Sequence, residues 1–100
     1  MSNFSPGYYI TAELRIKEES QAKEAIDSLT ILCAETLKEP GCSIFQLHQD
    51  TTTPLRLILW ERFDDEAAFK RHFEESHTKD YVALDLTEVV QYFQTSVIAA

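Results

Sequence analysis

The chain has little with which to bend sharply or cross-link itself. It holds only two glycines and three prolines in 100 residues. That excludes a glycine-rich phosphate loop, a G-x-G-x-x-G dinucleotide fingerprint and a G-x-S-x-G nucleophile elbow. It also argues against long disordered linkers, which draw on these residues. The two cysteines, Cys33 and Cys42, lack the spacing of a zinc site and are expected to be reduced, buried thiols. Positive charge is scarce as well. Nine Lys and Arg stand against seventeen Asp and Glu, a formal net charge of -8, with no basic cluster. Such a surface repels phosphate backbones and anionic lipid heads, so no nucleic acid and no membrane partner is expected. No apolar run approaches the ~20 residues that span a bilayer. The segment Met1–Gly7 has no basic stretch leading into an apolar core, so no secretory leader is expected there and the default compartment is the cytoplasm.

What is present suits one small soluble domain over residues 1–100. Hydrophobic residues make up 44% and charged residues 26%, ordinary values for a globule. A domain of this size buries roughly 60–65% of its unfolded surface, so association with a second chain would add to a thin margin.

Periodicity supplies the elements. Tyr8 to Ile16 alternates, with Tyr8, Ile10, Ala12, Leu14 and Ile16 on one face and Tyr9, Thr11, Glu13 and Arg15 on the other. Ser20 is a candidate N-cap for a helix from Gln21 to Lys38. Its apolar stripe is Ala22, Ala25, Ile26, Leu29, Leu32, Cys33 and Leu37, and Pro40-Gly41 ends it. Cys42–Asp50 and Leu55–Phe63 read as two strands joined by a Thr/Pro corner. Asp64 is expected to cap a second helix whose inner stripe is Phe69, His72, Phe73 and Ser76. A short amphipathic segment, Lys79–Leu86, then leads to a last strand from about Glu88 to Ile98. The order β-α-β-β-α-β defines a ferredoxin-like α+β fold, a four-stranded antiparallel sheet with helices on one face. The other face carries Tyr9, Thr11, Ile44, Ile58, Trp60 and Phe93. A monomer rarely leaves such an apolar patch wet, so a homodimer with the two faces pressed together is expected.

A set of motifs accompanies this plan: Glu39-Pro40-Gly41-Cys42, Leu47-His48-Gln49-Asp50, Pro54, Trp60-Glu61-Arg62-Phe63, Asp65-Glu66-Ala67-Ala68-Phe69, His72 and Ser76-His77. Together they resemble the antibiotic biosynthesis monooxygenase (ABM) domain, over a core of about residues 8–98. The resemblance implies a dimeric α+β barrel with a pocket in each subunit. It also implies kinship with cofactor-independent monooxygenases that act on quinols or anthrones. Related families process a phosphorylated autoinducer-2 or degrade haem. The haem-degrading group uses an Asn in the first strand, a Trp on the second helix and a haem-ligating His after it. The matching positions here are Leu14, His72 and Val82, and all three depart.

Glu61 is the anomaly within the residue pattern. It shares a strand face with Leu57, Leu59 and Phe63, where a carboxylate is costly unless paired or wet. His72, on the helix stripe above, is its expected partner. A Glu61–His72 pair serves either as a general base or as a hydrogen bond pinning helix to sheet, and the residues leave both open. His77, read near the end of the same helix, suits either that negative terminus or a pocket mouth. His72 and His77 are five residues apart with no third ligand evident, so no metal is expected. Phe69, Phe73, Leu59, Tyr81 and Phe45, with Tyr8, are candidates to shape a substrate cavity, against the plainer alternative of core. His48 and Trp60, with Ile58 and Tyr9, are read as dimer interface rather than catalytic. Arg56 and Arg62 have the parity that turns them away from the helix side.

The expected activity is therefore a cofactor-independent monooxygenase, with a small quinol-, phenol- or anthrone-like substrate and molecular oxygen as partners. Two alternatives remain. One is an isomerase or degrading enzyme for a small carbonyl signal of the autoinducer-2 type. The other is a dimeric ligand-binding module without turnover. The observation that discriminates is a cavity of about 300 Å3 or more beside Glu61 and His72.

Overall fold

A computed structural model describes residues 5–99; the first four residues of the N-terminal segment and Ala100 lie outside the described residues. The elements run β1 (Tyr8–Ile16), α1 (Ala22–Thr36), β2 (Cys42–Gln49), β3 (Arg56–Phe63), α2 (Glu66–His72), α3 (Ser76–Leu84) and β4 (Thr87–Thr95). The strands form one sheet in the order β2-β3-β1-β4, every neighbouring pair antiparallel. This is the ferredoxin-like α+β arrangement that the periodicity predicts.

Strand parity fixes the two faces. Ile10, Ala12, Leu14 and Ile16 of β1 and Leu57, Leu59 and Phe63 of β3 are buried beneath the helices, against Ala25, Leu29 and Leu32 of α1. The cross-strand partners Ala12↔Leu59 and Leu14↔Leu57 hold the register. A one-residue slip would turn this whole apolar set outward. On the opposite face Trp60 pairs with Thr11, and Thr11 with Phe93. Trp60 and Phe93 are 46% and 54% exposed there. The edge strand β4 is exposed along nearly its whole length.

Several boundaries differ from those read in sequence. A 3-10 turn at Glu19–Gln21 takes in Ser20, so Gln21 occupies the N-cap of α1 and no side-chain cap forms. Helix α1 ends at Thr36, which is buried, while Leu37 is half-exposed. Asp65, not Asp64, caps α2: its carboxylate accepts from the Ala68 N–H at 2.8 Å. Asp64 is already engaged, its N–H donating to the Gly41 carbonyl at 2.7 Å and its carboxylate meeting Arg62. The last strand ends at Thr95 rather than Ile98.

The largest difference is that the second helical region is two helices. After His72 the chain tightens into i→i−3 bonds, Phe73 to Lys70, Glu74 to Arg71 and Glu75 to His72. Glu75 then adopts extended dihedrals and α3 begins. His77 consequently lies in the first turn of α3, not at the C-terminal end of α2, and the helix-terminus role expected for it falls away.

Candidate active site

Four segments bring the site together. β3 contributes Glu61, whose side chain follows its parity onto the helix side, 7% exposed, with Ile10 and Phe45 as cross-strand neighbours. Helix α2 contributes His72, 4% exposed, with the rings of Phe45, Phe63 and Phe73 centred 5.2, 5.6 and 5.2 Å from its own. Helix α3 contributes His77, Thr78 and Tyr81. The turn after α1 contributes Glu39.

Glu39 is the residue that sequence reading missed. Its N–H donates to the Thr36 carbonyl at 3.0 Å, and its own carbonyl accepts from the Cys42 N–H at 3.2 Å. Gly41, at φ +90, lets the chain double back here. A Cβ on Gly41 would stand 3.0 Å from that of Ala68, so the turn packs directly on α2. The carboxylate is thereby delivered beside the imidazoles. Oε2 of Glu39 lies 2.7 Å from Nδ1 of His72 and 2.7 Å from Nε2 of His77. A carboxylate has no hydrogen to give, so both ring nitrogens are donors. Thr78 Oγ1 lies 3.3 Å from the same Nδ1.

The expected Glu61–His72 pair does not form. The helix-side carboxylate is where parity puts it, but His72 turns Nδ1 to Glu39 instead. The Glu61 side chain has no hydrogen-bond partner among the described residues. Burial alone pushes its carboxyl up to about 8. The side chain is therefore a neutral acid around pH 7, able to donate a hydrogen bond.

Glu61 and His72 nonetheless share one cavity, of about 440 Å3, between the helices and the sheet. Of the six candidates to shape a cavity, Phe69, Phe73, Leu59, Tyr81 and Phe45 line it, whereas Tyr8 does not and packs instead on Phe69 with ring centroids 5.3 Å apart. Val82, Val89 and Tyr92 line the cavity as well and are well exposed, which places them on its open side. The polar side chains among its lining residues are few: Glu61, His72, Thr78, Tyr81 and, on the open side, Tyr92. Tyr81 is hydrogen-bonded to Thr87, and burial raises its phenol. His77 stands behind Glu39, outside the lining. No Lys or Arg is among the lining residues. Arg56 pairs with Asp50 and Glu13, and Arg62 with Ser43, Asp64 and the Pro6 carbonyl.

The four residues read as interface share the face without helices. Trp60 packs on His48 with ring centroids 4.5 Å apart, and Ile58 and Tyr9 are half-buried beside them. The cysteines are free; Cys42 is buried and Cys33 half-buried. Burial pushes their thiols up to about 12 and about 11, with Glu39 and Glu61 adding at Cys42 and Glu61 at Cys33. Neither is a ready nucleophile. No helix among the described residues is long and apolar enough to cross a membrane.

With this geometry in place, comparison with known proteins gives a consistent answer. The model of the antibiotic biosynthesis monooxygenase family matches residues 7–84, and the chain belongs to that family. It is 34% identical over 90 residues to the uncharacterized protein YjcS of Bacillus subtilis, covering 90% of this chain and 86% of that one. The solved structure of YjcS matches with a TM-score of 0.82, covering 90% of this chain and 97% of its own. A protein of unknown function from Bacteroides thetaiotaomicron, called a possible oxidoreductase, shares the fold at 21% identity and a TM-score of 0.80, with 92% and 100% of the two chains covered. A conserved protein from Methanosarcina mazei does so at 23% identity and 0.77, with 88% and 91% covered.

Proposed function

We propose that this protein is a monooxygenase for a small, electron-rich aromatic substrate such as a quinol, phenol or anthrone, working as a homodimer and without a metal or organic cofactor. The observation that carries the reading is the apolar cavity of about 440 Å3 in which a carboxylate-oriented imidazole and a neutral carboxylic acid are the main polar groups. Membership of the family supports it.

Each part has a task in this chemistry. Glu39 holds the Nδ1–H of His72, which leaves the Nε2 lone pair on the far side of the ring as the base. Removal of the substrate's acidic proton gives an anion that can pass an electron to dioxygen. The resulting radical pair joins through a carbon–oxygen bond, and the peroxide collapses. For an anthrone the balance is CH2 + O2 → C=O + H2O: the methylene gives up all four electrons that dioxygen takes, one oxygen atom stays on carbon and the other leaves as water. Glu61 donates to the substrate oxygen on which negative charge gathers. The aromatic walls orient a flat ring and keep water from the anion. The absence of cationic lining residues disfavours a phosphorylated substrate.

The test is oxygen uptake by the purified protein with a panel of quinols and anthrones, with and without chelator. Turnover of at least one substrate that persists in chelator and is abolished in His72→Ala, with the dimer intact, is the expected result. Unchanged oxidation by that variant would remove the assignment.

A further inference from the structure

The acid behind the catalytic imidazole does more than orient one ring. Two N–H donors, from His72 and His77, converge on a single oxygen, Oε2 of Glu39, each at 2.7 Å. The three donor atoms lie within 4.8 Å of one another. Two imidazoles and a carboxylate form a donor set well suited to zinc and its first-row neighbours. Ligands around a tetrahedral ion stand about 3.3 Å apart when bond lengths are ~2.0–2.1 Å. Each ring nitrogen, now 2.7 Å from Oε2, must therefore draw back by roughly 0.6 Å to admit the ion. The side chains of Glu39 and His72 are 6% and 5% exposed and that of His77 is 18%, so the group is walled on two sides and reachable from the third. The Thr78 hydroxyl lies 3.3 Å from His72 Nδ1, close to the group.

We propose that Glu39, His72 and His77 bind one divalent first-row metal ion, and that this ion shuts off the base. The ion takes the place of the hydrogens that the two rings direct at Oε2; each ring keeps its one hydrogen, which moves to the other ring nitrogen. The consequence follows from the imidazole itself. A neutral ring has one lone pair and one N–H. With the metal on Nδ1, His72 carries its hydrogen on Nε2 and has nothing with which to accept a substrate proton. The binding stands on the cluster alone; the inhibition rests on the function proposed above.

Titration calorimetry with zinc chloride on tag-free protein tests the binding without reference to activity. One saturating ion per chain is expected, and cobalt(II) in its place should give a visible d–d band. Glu39→Gln and His77→Ala should each weaken binding upwards of ~100-fold while keeping the native circular dichroism; His77, at the rim, is the safer variant for folding. No saturable binding, or binding undiminished in both variants, overturns the site. Inhibition is then read as loss of oxygen uptake at saturating zinc, restored by chelator. Turnover that persists or rises with zinc bound overturns the shut-off while the calorimetry still decides the site. If no substrate is oxidised under any condition, the proposed function fails and the metal site is judged by calorimetry alone.

Discussion

Nδ1 of His72 and Oε2 of Glu39 meet at 2.7 Å although the residues are 33 positions apart in the chain. The contact joins the turn after α1 to the end of α2, across the mouth of the core. It decides which carboxylate orients the imidazole, and so divides labour between two buried acids. Glu39 fixes the ring. Glu61 lies in the cavity without a side-chain partner, and in the proposed mechanism it is the acid that faces the substrate.

That division is measurable in kinetics. Glu39→Gln should lower kcat by ~10² or more with little change in KM, because the ring loses its charged partner but the cavity is untouched. Glu61→Gln should keep activity within about tenfold, since an amide N–H still donates, whereas Glu61→Leu should lose ~10²-fold. Equal losses in Glu39→Gln and Glu61→Gln would mean that the roles are assigned wrongly.

Glu61 also predicts the pH dependence of stability. Its folded carboxyl lies near 8 against an ordinary 4.5, so the native state binds that proton more tightly than the unfolded chain. The stability it confers is fully present below about 4.5 and is lost as pH rises towards 8. Each unit in that window lowers the folding constant by up to about tenfold. Denaturant melts from pH 5 to 8 should show wild type losing midpoint steadily and Glu61→Gln losing much less. Parallel curves for the two proteins would contradict this.

Gly41 is expected to tolerate no side chain well. Its φ of +90 and the 3.0 Å approach of a Cβ to Ala68 leave no comfortable side chain there. Gly41→Ala should cost about 1–3 kcal/mol, seen as a Tm fall of roughly 5–15 °C, and should loosen Glu39 from His72. A Tm within a degree of wild type would show that the turn accommodates the methyl group.

The helix-free face makes a separate forecast. Trp60 stands half-exposed among Thr11, His48 and Phe93. If a second copy covers that face, Trp60→Glu should convert a dimer to a monomer in light scattering at micromolar concentration, with its circular dichroism intact. A wild-type protein that is already monomeric would refute the dimer.

The architecture was legible because strand parity and turn signals are local. The alternation of Tyr8–Ile16 and Leu55–Phe63 set both sheet faces, and it placed Glu61 on the helix side correctly. The cavity's aromatic walls followed from the same stripes. The break between His72 and Ser76 was not legible: Phe73-Glu74-Glu75 contains no Gly or Pro, and the helix ends there by tightening into i→i−3 bonds. Glu39 was in view, but it sits in a motif that reads as a helix stop. Its partners come from elements 33 and 38 residues later, a relation that no periodicity encodes. The cap moved from Asp64 to Asp65 for a similar reason, since a contact with Gly41 had already claimed the first aspartate.

The most direct measurement is oxygen incorporation. Chelator-treated wild type and His72→Ala are incubated with an anthrone under isotope-labelled dioxygen, and the product is weighed by mass spectrometry. One labelled oxygen per product molecule is expected from wild type, and only background formation from the variant. Equal yields from the two proteins, or no labelled product from wild type across the whole quinol and anthrone panel, would contradict it.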